Sequence, residues 1–267
     1  MPFDGESLAG AARGVLLTPG AADKVAATRA AFEAWRNGHL PPGTAVPPER
    51  PARPATPEVR PPRHMPKRRP GGIKGRIALL HALAHIELNA IDLAWDAVVR
   101  FAALPDAPER ALDDWARVAL DEAEHFDLLE QRLNALGAAY GDLPAHDGLW
   151  ESAEDTADDL AARMAVVPMT HEARALDTAP ATVERLRHAG DTASADVLER
   201  IAREEVDHVA AGVRWFRWLC ERRGAEPVAA YHAFVRARFG GGLKAPFNDA
   251  DRAAAGLTPD FYEPLAG

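Results

Sequence analysis

Cysteine and tyrosine are scarce in this sequence, which has one cysteine and three tyrosines among 267 residues. The single thiol, Cys220, excludes a disulfide framework and a metal site built from four cysteines. No apolar run reaches the length of a membrane-spanning helix, and the N-terminus lacks the charged and then apolar pattern of a secretion signal. We therefore expect a soluble, cytoplasmic protein that does not associate with membranes.

Segments that alternate between apolar and polar residues, as strands do, are also scarce. The chain is rich in Ala, Leu, Arg, Asp and Glu, and 47% of its residues are hydrophobic, which favours an all-α protein with a large core. The periodicity predicts four bundle helices, the third kinked at Pro168, with a longer connection between the second and third, as in a four-helix bundle. The predicted helices span about 20–38, 74–103, 108–137, 153–178, 180–189, 191–223 and 227–239.

Proline is concentrated in residues 41–70, which contain 11 prolines. Such a segment cannot form a regular helix and has no period for a strand. An extended linker is the favoured interpretation, and an ordered arm that wraps the domain and helps to close a site is the alternative. We predict three regions: an N-terminal helix and Pro-rich arm at 1–70, a helical bundle at 71–240, and an irregular C-terminal tail at 241–267 that packs on the bundle.

Charge is distributed unevenly along the chain. Residues 1–76 carry 13 Lys/Arg and 6 Asp/Glu, whereas residues 77–267 carry 18 and 34. An acidic body is poorly suited to binding a polyanion over a wide surface, which argues against a nucleic-acid partner. A basic cluster at the end of the arm leaves local contact with nucleic acid or substrate open, although a solvated surface is the simpler interpretation: Arg60, Arg63, Lys67, Arg68 and Arg69.

One short motif occurs twice, 83 residues apart, as Glu122-Ala-Glu-His125 and Glu205-Val-Asp-His208. On an α-helix, residues three positions apart lie on one face, so each pair can converge on one metal ion. Each pair also replaces two apolar residues of a stripe that should face the core. A single pair would indicate only structural Glu–His pairing at a helix interface, whereas two such pairs favour a dinuclear metal centre.

Two other predicted helices each carry one carboxylate in an apolar stripe, Glu87 and Glu172. They precede the two motifs by 35 and 33 residues, which indicates one helical hairpin used twice. Buried carboxylates are destabilising unless they are paired or bind a cation. Oxygen donors with imidazole favour two iron ions, with manganese or a mixed pair as alternatives. The predicted ligands are Glu87, Glu122, His125, Glu172, Glu205 and His208.

These residues and the strings around them resemble the ferritin-like superfamily and, within it, a bacterial family of unknown function, the DUF455 proteins. The resemblance extends from about residue 60 to the end. It implies a ferritin-like four-helix bundle in which these six residues bind two metals, and it implies no substrate. The strings that carry it are His-Ala-Leu-Ala-His-Ile-Glu-Leu (81–88), Asp-Glu-Ala-Glu-His-Phe (121–126), His-Glu-Ala-Arg-Ala-Leu-Asp (171–177), Glu-Glu-Val-Asp-His-Val (204–209) and Lys-Ala-Pro-Phe-Asn (244–248).

Four further residues are predicted to support the ligands from behind. Asp121 and Asp207 each precede a ligand by one position and are placed to orient an imidazole. His85 lies two positions before Glu87, and Arg174 lies two positions after Glu172. Surface or purely structural roles are the alternatives, and for Arg174 a pair with Asp177 is preferred.

The predicted centre is compatible with several functions. The leading hypothesis is a di-iron oxidase or oxygenase that uses O₂ or peroxide to oxidise a small organic or modified substrate, with an unidentified electron donor. Iron binding, ferroxidase activity or protection against oxidative stress is the second hypothesis. A hydroxylase that modifies tRNA and a structural bundle with a degenerate site are further alternatives, and a homodimer is compatible with all of them.

Overall fold

The computed structural model describes residues 7–65 and 72–267. In these residues all regular elements are helical, and β-pairing is limited to the isolated bridges Val59 to Ala145 and Leu243 to Ala266. The prediction of an all-α protein is therefore confirmed. The chain divides into two compact units, Met1–Asp147 and Gly148–Gly267. The three-region division stays a prediction.

The first unit is built on a long helical hairpin. Helices α3 and α4 are joined by a six-residue connection and pack along their length, while α1 packs on α3 and α2 packs on α4. The hairpin buries a broad apolar surface that includes Leu88, Trp95, Trp115 and Phe126. The helices are α1 (Leu8–Leu16), α2 (Ala21–Arg36), α3 (Gly72–Ala102) and α4 (Glu109–Ala135), with a 3₁₀ turn at Pro62–His64.

Helix α1 was not predicted from the sequence. It has only nine residues, so its apolar period is short, but Ser7 provides a helix-start signal because its Oγ accepts a hydrogen bond from the Gly10 N–H. The bounds of α2, α3 and α4 agree with the predicted segments to within two residues. Helix length and period therefore decide which helices are detectable from sequence.

The Pro-rich segment up to residue 65 is an ordered arm and not a free linker. Backbone N–H groups of Leu8 and Ala52 donate to the carbonyls of Pro41 and Leu16, and Arg60 pairs with Ala145 through its backbone. The arm thus follows α1 and then the loop after α4. Of its basic end, Arg60 pairs with Glu58 at 2.6 Å, while Lys67, Arg68 and Arg69 lie outside the described residues.

Helix α3 is the one helix in the described ranges that is long and apolar enough, by length and composition, to cross a membrane. The expectation that no segment reaches that length and apolarity was therefore wrong. However, 67% of its most apolar window is buried within the structure, which is consistent with the core helix of a soluble protein. The cellular compartment stays a prediction.

The second unit is built around α8, against which α6, the turn that follows it, and α7 pack. Its described helices are α5 (Gly148–Glu154), α6 (Leu160–Val166), α7 (Ala173–His188), α8 (Thr192–Arg222), α9 (Pro227–Arg238), α10 (Asp249–Ala254) and α11 (Pro259–Tyr262), with a π-helical turn at Val167–Glu172 and a 3₁₀ turn at Glu263–Leu265. Asp159 and Asp191 cap α6 and α8 through their side chains.

The predicted helix over 153–178 is not continuous. Residues 155–159 separate α5 from α6, and the predicted kink at Pro168 is a π-helical turn that passes into α7. The Ala173 N–H donates to the Pro168 carbonyl five residues earlier, which is the π-helical spacing. The separate helix predicted over 180–189 is also wrong, because Pro180 lies inside α7.

The C-terminal residues are more regular than predicted and are anchored by one buried ion pair. Arg252 of α10 donates Nε–H and Nη2–H bonds to the two carboxylate oxygens of Asp177, at 2.8 and 2.7 Å. The Asn248 N–H donates to the same carboxylate at 2.9 Å, and the Arg252 guanidinium lies over the Tyr262 ring. The tail thus packs on α7 within the second unit.

Gly212 allows α8 to approach the π-helical turn. A Cβ atom at this position would lie 2.5 Å from Cβ and 2.7 Å from Cγ of Pro168, which is closer than side-chain carbons pack. We expect Gly212→Ala to lower the free energy of unfolding by about 1–3 kcal/mol, the usual effect of overpacking a core. Chemical denaturation measures this change.

Gly14 provides the matched control for this prediction. It lies inside α1, and a Cβ there would meet nothing within 4 Å. Gly14→Ala should be neutral or raise the free energy of unfolding by roughly 0.5–1 kcal/mol, because alanine favours the helix. A Gly212→Ala protein as stable as the native one would contradict the close approach of α8 to Pro168.

Candidate metal centre

Three predicted ligands converge inside the hairpin of the first unit. Glu87 extends from α3, and Glu122 and His125 extend from one face of α4. Their ligand atoms all lie within 4.8 Å of one another, with His125 Nδ1 3.4 Å from Glu122 Oε2 and 3.8 Å from Glu87 Oε2. The three residues are at most 5% exposed. This geometry suits a metal ion, whose identity the donors do not fix.

The two carboxylates of this cluster change the pKa of the His125 imidazole. Burial lowers the pKa of His125, but the carboxylates of Glu122 and Glu87 outweigh burial and raise this pKa to about 11. The imidazole is therefore protonated when no metal is bound, and its proton partly neutralises two buried carboxylates. A divalent cation would replace that proton, because an imidazole must be neutral to bind metal.

The second unit contains the matching pair on α8. His208 Nδ1 lies 3.6 Å from Glu205 Oε2, and the two side chains are 1% and 4% exposed. Glu172 ends the π-helical turn and is half-buried, with its Oε2 atom buried. Glu205 and His208 are therefore buried as predicted and Glu172 is only partly buried, and the roles of all three as ligands stay predictions.

The two aspartates predicted to orient the imidazoles differ in their surroundings. Asp121 is half-buried and lies 3.9 Å from Arg117 on the outer side of α4. Asp207 is exposed on α8, a position that does not favour contact with the buried His208 ring. Both roles stay predictions, and Asp207 is the weaker of the two.

His85, two residues before Glu87 in α3, is held in a stack of rings. Its Nδ1 lies 2.8 Å from the Tyr140 hydroxyl, and burial together with the charge of Arg53 lowers the pKa of His85 to about 4. The Tyr140 ring stacks on His81, whose Nε2 accepts the Gly141 N–H. No sequence motif pointed to Tyr140, because it lies in the loop after α4. The neutral His85 is thus fixed by Tyr140, and its role behind the ligands stays a prediction.

Arg174 forms the preferred pair with Asp177, with Nη1 3.3 Å from Oδ2, but the pair is not fully buried because the Arg174 side chain is 38% exposed. Its Nη1 also donates to the Lys244 carbonyl at 2.6 Å and to the Pro246 carbonyl at 3.1 Å. Arg174 therefore fastens the tail to α7. The predicted role behind the Glu172 ligand is untested.

A buried ion network that the sequence did not indicate lies next to the Glu87 segment of α3. Asp92 is fully buried and binds Lys24 of α2 and Arg53 of the arm. Arg53 also donates to Asn89 Oδ1 at 2.5 Å, and the Asn89 amide donates to the His85 carbonyl at 2.7 Å. Burial lowers the pKa of Lys24. The network ties α2 and the arm to the part of α3 that carries the candidate ligand.

Comparisons with known proteins confirm the resemblance to the DUF455 family, and the ferritin-like superfamily stays a prediction. The family model described as "Protein of unknown function (DUF455)" matches residues 17–263. A Haemophilus influenzae protein named "Uncharacterized protein" is 42% identical over 176 residues, which cover 64% of this chain. The match spans 60% of the length of that relative. No solved structure matches the chain.

The Lys24–Asp92 ion pair should be essential for stability. We expect Asp92→Asn to lower the free energy of unfolding by about 3–5 kcal/mol, because it leaves the buried ammonium of Lys24 without its charged partner. Asp127→Asn is the matched control, since Asp127 pairs at 2.5 Å with Arg29, also of α2, at the surface. Loss of that exposed pair should change stability by less than about 1 kcal/mol. Equal effects in urea denaturation would contradict the importance of burial.

Proposed function

The chain belongs to the DUF455 family, and we propose that it is a ferritin-like dinuclear metal protein that acts as an oxidase or oxygenase. In this proposal, α3, α4, α7 with the π-helical turn, and α8 provide one centre for two metal ions. The proposed ligands are Glu87, Glu122, His125, Glu172, Glu205 and His208. The expected ions are iron, with manganese or a mixed pair as the alternative.

The observation that carries the proposal is the buried Glu87, Glu122 and His125 cluster of the first unit. Two carboxylates and one imidazole with ligand atoms within 4.8 Å form the donor set that iron and manganese accept. At most 5% exposure makes two carboxylates costly without a cation. A structural role would be served better by apolar residues at the same positions.

The repeated motif supports a centre of two ions and not one. The second unit presents Glu205 and His208 three positions apart on one buried helix face, as the first presents Glu122 and His125. Each pair is preceded in its unit by one further predicted ligand, Glu87 in α3 and Glu172 at the end of the π-helical turn. We infer that the two half-sites form one centre, in which each imidazole binds one ion.

Each side chain has a defined task in this proposal. His125 and His208 would provide one neutral nitrogen each, and the four carboxylates would balance the charge of the ions. Two iron ions bound there would supply the redox chemistry with O₂ or peroxide. The buried faces of α3, α4 and α8 exclude water around the ligands, which strengthens every charge interaction within the site.

An enzyme is favoured over an iron store by the elements that surround the ligand helix α3. The arm, through Arg53, and the loop after α4, through Tyr140, contact α3 at residues on both sides of Glu87 in sequence. A minimal metal-binding bundle does not need these additions, whereas an enzyme needs groups that shape a pocket for a substrate. We propose a small organic or modified substrate and an external electron donor.

Metal stoichiometry tests the proposed centre. Anaerobic reconstitution with Fe²⁺ should give two ions per chain. Glu122→Gln and Glu205→Gln should each weaken the binding of both ions about tenfold or more, because one centre shares its carboxylates. The matched controls are the neighbouring residues, Glu124→Gln and Glu204→Gln, since Glu204 is 37% exposed and pairs with Arg200. These controls should bind two ions with native affinity.

Three results would contradict parts of this proposal. Purified and reconstituted protein without stoichiometric metal would refute metal binding. A Glu122→Gln protein that loses one ion and keeps the other at native affinity would indicate two separate mononuclear sites. Iron uptake far beyond two ions per chain after O₂ exposure would favour storage, whereas an optical change that saturates at two ions and reverses with a reductant supports an oxidase or oxygenase.

A further inference from the structure

The π-helical turn at Val167–Glu172 determines where Glu172 stands. A π turn contains about one residue more than an α turn, and each added residue rotates the following chain by about 100°. Glu172 is the last residue of this turn, and α7 begins at Ala173. Relaxation of the turn to α geometry would therefore redirect the Glu172 carboxylate away from its present position.

Two buried hydroxyl groups stabilise the turn. Thr170 Oγ1 donates to the Ala165 carbonyl, five residues earlier, at 2.8 Å. The Tyr231 hydroxyl of α9 lies 2.8 Å from Thr170 Oγ1 and 3.2 Å from the Met169 carbonyl. Tyr231 is 0% exposed and Thr170 is 5% exposed, so water does not replace these bonds.

Each of the two hydroxyl groups has one proton to donate in this group. Burial raises the pKa of Tyr231 to about 12, so its hydroxyl keeps its proton at neutral pH. While Thr170 Oγ1 donates to the Ala165 carbonyl, the Tyr231 O–H has two acceptors within reach, Thr170 Oγ1 at 2.8 Å and the Met169 carbonyl at 3.2 Å. The chain of bonds runs from α9 through Thr170 to the last turn of α6.

We propose that Tyr231 and Thr170 are positioning residues for Glu172, holding the π-helical turn in the register that aims this carboxylate at the metal centre. The inference rests on the proposed function, because it takes Glu172 to be a ligand. It assigns a task to α9, which lies outside the four helices that carry the ligands.

Phenylalanine at position 231 separates this task from packing. The Tyr231 ring makes edge contacts with Phe216 and Phe261, at centroid distances of 6.2 and 5.5 Å. Tyr231→Phe retains the ring and removes only the hydroxyl. Thr170→Val removes the other hydroxyl at constant shape, and Thr170→Ser restores it. Tyr262→Phe is the control, because Tyr262 is also buried and donates to Asp249, away from the turn.

Co²⁺ alone, titrated anaerobically into the full chain, is the probe, since its d–d bands report the ligand set and its affinity is measured at the same time. We expect Tyr231→Phe and Thr170→Val to weaken the binding of at least one of the two ions about tenfold or more, as for other residues behind metal ligands. Their d–d bands should also change. Thr170→Ser and Tyr262→Phe should match the native protein in both measurements.

The outcomes separate this inference from the proposed function. A native protein that binds no Co²⁺ refutes the proposed function and the inference with it. A native protein that binds two ions, with Tyr231→Phe and Thr170→Val matching it in affinity and spectrum, refutes the inference alone. If Tyr231→Phe does not fold, the smaller change at Thr170 decides, because Thr170→Val alters no aromatic packing.

Discussion

The compensation of buried carboxylates is the constraint on which the rest of the structure depends. Charge taken out of water is destabilising unless a cation accompanies it. In the first unit, Asp92 is neutralised by Lys24 and Arg53, which also join α2 and the arm to α3. In the second unit, Asp177 is neutralised by Arg252, which joins the tail to α7. The same ion pairs that neutralise these buried aspartates therefore also fasten α2, the arm and the tail to the long helices.

The long helices and the ligand faces could be predicted from sequence because both follow from helical period. The stripe that contains Glu122 and His125 and the stripe that contains Glu205 and His208 are buried as expected. Helical period does not predict the structure where the backbone departs from α-helical geometry. Pro168 predicted a break in a helix, but the π-helical turn there depends on Gly212 of α8 and Tyr231 of α9, which are distant in sequence.

Contacts between distant segments account for the other errors. The composition of residues 41–70 indicates only that they are not helical, whereas their order depends on carbonyl groups paired with α1 and on Arg53 paired with Asp92. Arg53 and Lys24 lie in no motif, and Tyr140 lies in a loop. A single sequence contains no signal for such pairings, because the two partners are far apart in the chain and become neighbours only in the folded structure.

The buried carboxylates of this protein are compensated in two ways, some by a lysine or arginine side chain and others by a proton on histidine. Lys24, Arg53 and Arg252 are part of the chain, and no ligand can displace them from Asp92 or Asp177. Glu87 and Glu122 are instead only partly neutralised, by the proton that they stabilise on His125. A proton on an imidazole exchanges with a metal ion, whereas a guanidinium does not. The cluster of Glu87, Glu122 and His125 therefore contains buried acidic groups whose compensating charge can be replaced, which is the property that a metal centre requires.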